Sequence, residues 1–205
     1  GPLTRTVRDA VSMLNVMGRY DYRDPYATRG QPECWGMDLD KGLTGLRIGY
    51  SADLGYAKVD PQVAERVREA AGRLEALGAE IVEVHPGFSS PLDTFRKLWF
   101  TASLEQWSQM DDHQRTLLDP GMVANAREAE PWKAVELFRA LADRAELTQL
   151  LEHFNQEYHL LMTPSVAIPP FEINQEVPLS SDMRDWEEWA PFSYPFNLSQ
   201  QPAAS

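Results

Sequence analysis

The sequence predicts an α/β/α layered fold in which helices flank a mixed, largely parallel sheet. Three observations predict it. Two short apolar stretches, at residues 46–50 and 80–85, enclose a helical pattern. That arrangement is a β-α-β unit, which implies a parallel pair joined by a crossover. A run of helical spacing then extends over residues 91–158. Apolar residues make up 43% of the 205 positions, which supplies enough material for a buried core.

Each element has its own signal. Thr6-Val7-Arg8-Asp9 has capping-box spacing with a shorter acid than glutamate, and Val7, Ala10, Val11, Leu14 and Met17 continue at helical spacing until Gly18. Residues 19–45 are rich in Asp, Gly, Arg and Pro and read as a long loop. Leu46 to Tyr50 reads as a strand. Asp60 followed by Pro61 is a helix start, because proline at the first helical position sacrifices only an N–H that has no helical partner. Val63, Ala64, Val67, Ala71, Leu74 and Leu77 form one stripe, which Gly78 closes. Glu80 to His85 is the second strand. Farther on, Leu92, Phe95, Trp99 and Ala102 share a helix face. Asp119-Pro120 and Glu130-Pro131 punctuate the helical region, and one long helix is expected after Pro131. His159 to Thr163 reads as a short strand stopped by Pro164. Seven of the 15 prolines follow from there, so regular structure is limited to a broken helical segment over 186–198.

Charge and composition exclude several functions. The net charge is −12, with −1 on residues 1–102 and −11 on residues 103–205. Such a surface repels phosphate backbones, so no nucleic acid and no polybasic membrane docking is expected. The acids of the second half are scattered among Leu, Phe and Trp and read as solvated helix faces. The single cysteine, Cys34, excludes an internal disulfide and a cysteine metal cluster, and fits a reducing, cytoplasmic setting. No stretch reaches the roughly 18–20 apolar residues that span a bilayer.

Self-contained chemistry is hard to assemble from these residues. Gly49-Tyr50-Ser51-Ala52-Asp53 approaches the G-x-S-x-G elbow of serine hydrolases, but Asp53 stands where the strained turn requires glycine. Ser51 therefore reads as an ordinary strand-to-loop serine. His85 and His113 are isolated, and His153 and His159 are six apart across a helix–strand junction, so no metal site is expected. No Walker lysine motif, G-x-G-x-x-G or Gly-Gly pair exists, and no cofactor is expected. Glu187-Glu188 and Asp111-Asp112 are sequence neighbours and point different ways on a helix. Five of the six tryptophans, at 99, 107, 132, 186 and 189, fall beyond residue 98. Most suit core packing, and one or two suit an apolar pocket.

Several segments resemble the amidase signature family of serine amidohydrolases. Gly1-Pro2-Leu3-Thr4-Arg5-Thr6-Val7-Arg8-Asp9-Ala10 resembles the stretch that follows the family signature. Asp21-Tyr22-Arg23-Asp24-Pro25 resembles its G-x-D-x-x-D-P loop, with Arg19-Tyr20 where glycine is common. Leu43 to Gly49 is similar to the loop and strand that come next. Tyr158 to Ser165 resembles a Y-D-L-L-L-T-P-T strand, with His159 replacing Asp. Pro195 to Ser205 resembles the segment containing N-L-T-G-x-P-A-x-S. The five occur in the family's order along the chain.

The resemblance implies hydrolysis of a carboxylic amide to acid plus ammonia or amine. A serine attacks, a second serine on a cis peptide relays its proton, and a lysine kept neutral by its surroundings is the base. Backbone N–H groups of a Gly-rich loop stabilise the oxyanion. In the family these residues precede the G-P-x-x-R segment, and none of Lys41, Lys58, Lys97 and Lys133 matches the base. The resemblance therefore assigns no catalytic residue here. It implies that residues 1–205 are one partial amidase domain, the C-terminal portion, inactive alone. Ala190, Tyr194, Thr163 and Trp99 are the substrate-pocket residues it implies. It also implies a small-molecule amide as substrate and allows a homodimer of the full-length protein. The alternative reading is a non-catalytic α/β partner-binding module or subunit.

Overall fold

The computed structural model describes residues 1–27, 29, 35–36 and 39–205, and these gather into two compact units, Gly1–Leu43 and Thr44–Ser205. Cys34 and part of the loop expected over 19–45 lie outside the described residues.

The first unit is built on helix α1, Val7–Met17. Thr6 caps it by accepting from the Asp9 N–H at 3.1 Å. The return bond of a full capping box is replaced. The Asp9 carboxylate instead accepts from the Thr6 hydroxyl at 2.8 Å. Asp is one methylene shorter than the glutamate that normally reaches back to the cap N–H. Trp35 lies against the helix end, where a Cβ on Gly18 would come within 2.9 Å of its ring.

In the second unit, β1 (Arg47–Tyr50), α2 (Pro61–Ala76) and β2 (Glu80–Glu83) form the β-α-β unit. Asp60 accepts from the Gln62 N–H at 2.8 Å, and Gly78 follows the helix end at φ +102°, a conformation that favours glycine. The expected helical region divides into α3 (Leu92–Ser108), α4 (Asp112–Thr116), α5 (Pro120–Ala129) and α6 (Ala134–Glu157). The breaks at Asp119-Pro120 and near Pro131 fall where proline removes a helical donor. Strand β3, Leu160–Met162, follows, and the Pro-rich segment contains only a 3-10 turn at Trp186–Glu188 and α7 at Tyr194–Ser199.

The three strands pair in the order β2-β1-β3, and both pairings are parallel, with Ile48 opposite Ile81 and Leu160. Helices cover the two faces. Gly49 faces α6, where a Cβ would meet the Phe154 ring at 2.5 Å. Tyr50, one residue on, points to the opposite face and feels the charge of Arg68 on α2. The largest core cluster of the unit gathers Leu54, Phe88, Phe95, Leu147, Leu151, Ala167, Phe192, Tyr194 and Leu198, with Leu161 of β3 packed against it. The helices and the Pro-rich segment thus bury each other.

Candidate functional site

At the carboxyl ends of parallel strands, where open α/β sheets commonly place ligands, the turn after β1 is closed by its own side chains. The Ser51 hydroxyl is buried and accepts from the Leu54 N–H at 3.1 Å, and Asp53 accepts from the Gly55 N–H at 2.7 Å. Leu54 takes φ 53°, and Gly55 at φ +79° lies so close to His85 that no side chain fits between them. Ser51 is a turn-forming serine. His159 serves the sheet, accepting from the Arg47 N–H at 3.0 Å. Among the described residues no group of three potential metal ligands gathers.

The four sequence-derived pocket residues separate. Ala190 and Tyr194 are each 3% exposed. The Tyr194 hydroxyl pairs with Ser90 at 3.2 Å, and Tyr56 donates to the Pro191 carbonyl at 2.9 Å. Burial pushes the phenols of both Tyr56 and Tyr194 above the ordinary tyrosine range, so both stay protonated. Thr163, just past β3, is half-buried and donates to the Pro164 carbonyl at 2.9 Å. Trp99 is 51% exposed, and one face of its ring stacks on Phe95 at 5.5 Å.

Trp99 borders a groove of about 430 Å³ in this unit. The α3 wall adds Ala102, Ser103 and Gln106. The α5 side adds Asp119, Gly121, Met122 and Asn125, and the Pro-rich segment adds Glu176 and Trp186. Of the four residues expected to line a pocket, Trp99 borders this groove, and Trp186 is one of the five tryptophans of which one or two were expected to suit an apolar pocket. Asp119 reads in the sequence as a helix cap, and Glu176 sits in a segment with no periodicity, so neither carries a sequence signal for the groove. Ala190, Tyr194 and Thr163 are not in the lining.

The groove is held open by polar anchors. Arg96 binds Asp185 at 2.7 Å and Glu187 at 3.2 Å, and Glu187 is 2% exposed. This pair fixes the turn carrying Trp186 against α3. The Trp189 indole N–H donates to the Glu176 carbonyl at 2.8 Å and so sets the chain direction at Glu176. Arg144 donates to the Leu198 carbonyl at 2.7 Å, which ties α7 to α6.

The sequence profile of the family described as Amidase matches residues 1–205. The chain belongs to the amidase family. An acylamidase of Rhodococcus erythropolis is 30% identical over 99% of this chain and 44% of its own length. An amidase of Pseudomonas putida is 28% identical over 86% of this chain and 38% of its own. A glutamyl-tRNA(Gln) amidotransferase chain of Myxococcus xanthus is 25% identical over 100% of this chain and 47% of its own. In fold, the crystal structure of a bacterial aryl acylamidase of the amidase signature enzymes superposes with a TM-score of 0.84 at 20% identity. The superposition covers 97% of this chain and 44% of the other. The chain therefore spans less than half the length of the relatives it matches. The family match extends over both units, the loop-rich first one included. No helix of the described residues is long and apolar enough to cross a membrane.

Proposed function

We propose that the protein containing these residues hydrolyses the C–N bond of a small-molecule carboxylic amide, releasing an acid and ammonia or an amine. Its nucleophilic serine, relay serine and lysine base lie in sequence N-terminal to Gly1, and the present residues supply part of the pocket wall. The supporting observation is the family match over all 205 residues combined with the internal bonding of the candidate groups. The Ser51 hydroxyl is committed to the Leu54 N–H, and Lys97 to Glu136 at 3.0 Å and to the Trp132 ring face. Among the described residues no hydroxyl–lysine pair of the kind the mechanism needs is formed. In this reading Ala190 and Tyr194 back the acyl pocket from within the core. Thr163 borders it at the strand end, and Trp99 lies at its entrance. The single cysteine supports a cytoplasmic setting, and the full-length protein works alone or as a homodimer.

The test compares residues 1–205 with the protein extended N-terminally, on a panel of aliphatic and aryl amides. The shorter chain is expected to show neither hydrolysis nor labelling by a serine-directed fluorophosphonate, and the longer one both. Fluorophosphonate-sensitive hydrolysis by residues 1–205 overturns the placement of the catalytic groups, and inactivity of both overturns the reading. The similarity to an amidotransferase chain supports a second reading, in which the protein works bound to a partner chain. Full amide hydrolysis by the N-terminally extended protein with no other chain present counts against it.

A further inference from the structure

We propose that the outward face of α6 pairs with the same face of a second copy of this protein, the two helices antiparallel about a two-fold axis beside Leu141. The helix α6 is apolar on two opposite sides. Ala140, Leu147, Leu151 and Phe154 lie on the inner side and are buried. On the outer side Val135, Phe138, Leu141, Ala142 and Ala145 make a second stripe at helical spacing, and all five are exposed. Phe138 is 72% exposed and Val135 52%. A helix apolar on both sides belongs between two layers, and among the described residues only the inner layer is present. A lone exposed leucine is ordinary, whereas an exposed phenylalanine with four apolar neighbours in one stripe marks a contact surface.

The stripe complements itself, which selects a second copy as its occupant. Its large residues, Val135 and Phe138, stand toward the N-terminal end of the helix, and its small ones, Ala142 and Ala145, follow. Reversing the helix direction sets large against small. With the axis beside Leu141, Phe138 of each copy falls between Ala142 and Ala145 of the other, a knob in a hole whose small walls let the helices approach closely. Charge fits the same register. Arg139 and Glu146 lie on one flank of the stripe, both are exposed, and neither is ion-paired among the described residues. In the pair, Arg139 of one copy stands about 4.5 Å along the axis from Glu146 of the other, within reach of an arginine side chain. The two-fold makes that contact twice. Asp143, opposite Arg139 in this register, turns toward α3, where the Thr94 hydroxyl donates to it at 3.5 Å. A parallel pair would set Phe138 on Phe138 and like charge on like charge. The inference goes beyond amide cleavage and uses no residue of the pocket wall.

One pair of helices of this length covers less area than a standard stable interface, so a reversible dimer with a Kd of about 10–100 μM is expected. Sedimentation equilibrium of the N-terminally extended protein, from about 1 to 300 μM, tests it. Phe138→Glu is expected to raise the Kd about a hundredfold without lowering the melting temperature, because the side chain it replaces faces solvent in the monomer. Arg139→Glu and Glu146→Arg are each expected to raise it about tenfold, and the double variant to restore it. These two surface changes decide the matter should Phe138→Glu fail to fold. A monomer throughout the range, the result if residues N-terminal to Gly1 cover the stripe, overturns the proposal. So does a dimer indifferent to Phe138→Glu, or a double charge variant that dimerises no better than the singles. Hydrolysis is scored separately, so failure of the amidase reading leaves the mass measurement interpretable.

Discussion

The β-α-β unit and the Pro-rich segment reach order by opposite routes. In the first, β1 and β2 satisfy each other through regular parallel pairing, and α2 starts and stops on residues adjacent to it, Asp60 and Gly78. In the second, little backbone is paired regularly, and position comes from single long-range bonds. Arg96 reaches Glu187, Arg144 reaches Leu198, Tyr56 reaches Pro191, and Asp60 donates its N–H to the Ala167 carbonyl at 2.8 Å. Regular pairing spreads its stabilisation over many weak terms. A segment hung on a few anchors concentrates it, so one substitution does more damage.

The comparison is broken most directly at Arg96. Arg96→Ala leaves the buried Glu187 carboxylate without its cation, and a loss of about 3 kcal/mol is expected in denaturant unfolding, together with release of the groove wall. A loss below about 1 kcal/mol would mean that the anchors share the load. In the regular unit the sensitive point is steric. Gly49→Ala drives a methyl into the Phe154 ring and to 2.9 Å from Val84, with an expected cost of about 2 kcal/mol. Both neighbours are packed side chains, so an unchanged melting temperature would show that the α6 face yields.

The smallest effect is set by pH. Burial holds the Tyr56 phenol above its ordinary value of 10.0, so the folded protein keeps a proton that the unfolded chain releases near pH 10. That contribution is fully present below pH 10 and is lost as pH rises past it. The slope is at most about 1.4 kcal/mol per pH unit for this one group. Tyr56→Phe is expected to flatten the fall in melting temperature between about pH 9 and 11. An identical fall in the variant would assign the alkaline sensitivity elsewhere, with Tyr194 the next group to test.

What the sequence made legible follows the same division. Asp60-Pro61, the Val63-to-Leu77 stripe and Gly78 define α2 locally, and the helix runs Pro61–Ala76. Asp119-Pro120 marks the start of α5 in the same way. The parallel sheet follows from two apolar stretches around a helix. The groove was only partly readable. Trp99 carries a signal because its face is shared with Phe95 at helical spacing. Glu176 carries none, because a hydrogen bond from an indole 13 residues away sets its place. Asp119 was readable only as a cap, since one carboxylate oxygen does that work whether or not the other faces a ligand. Tyr194 is held in the core by contacts with residues about 100 positions earlier, such as Ser90. No local pattern encodes such a distance.

The strand order has a kinetic consequence. β1 sits between a partner about 33 residues away and one about 112 residues away, as the Arg47 contacts to Glu80 and His159 show. Closing the longer loop costs more chain entropy, so the β1–β3 seam is expected to be completed after the β1–β2 pairing. Substitutions along Leu160–Met162 should then leave the folding rate nearly untouched and act mainly by accelerating unfolding, which makes this three-residue strand the latch on the lifetime of the fold.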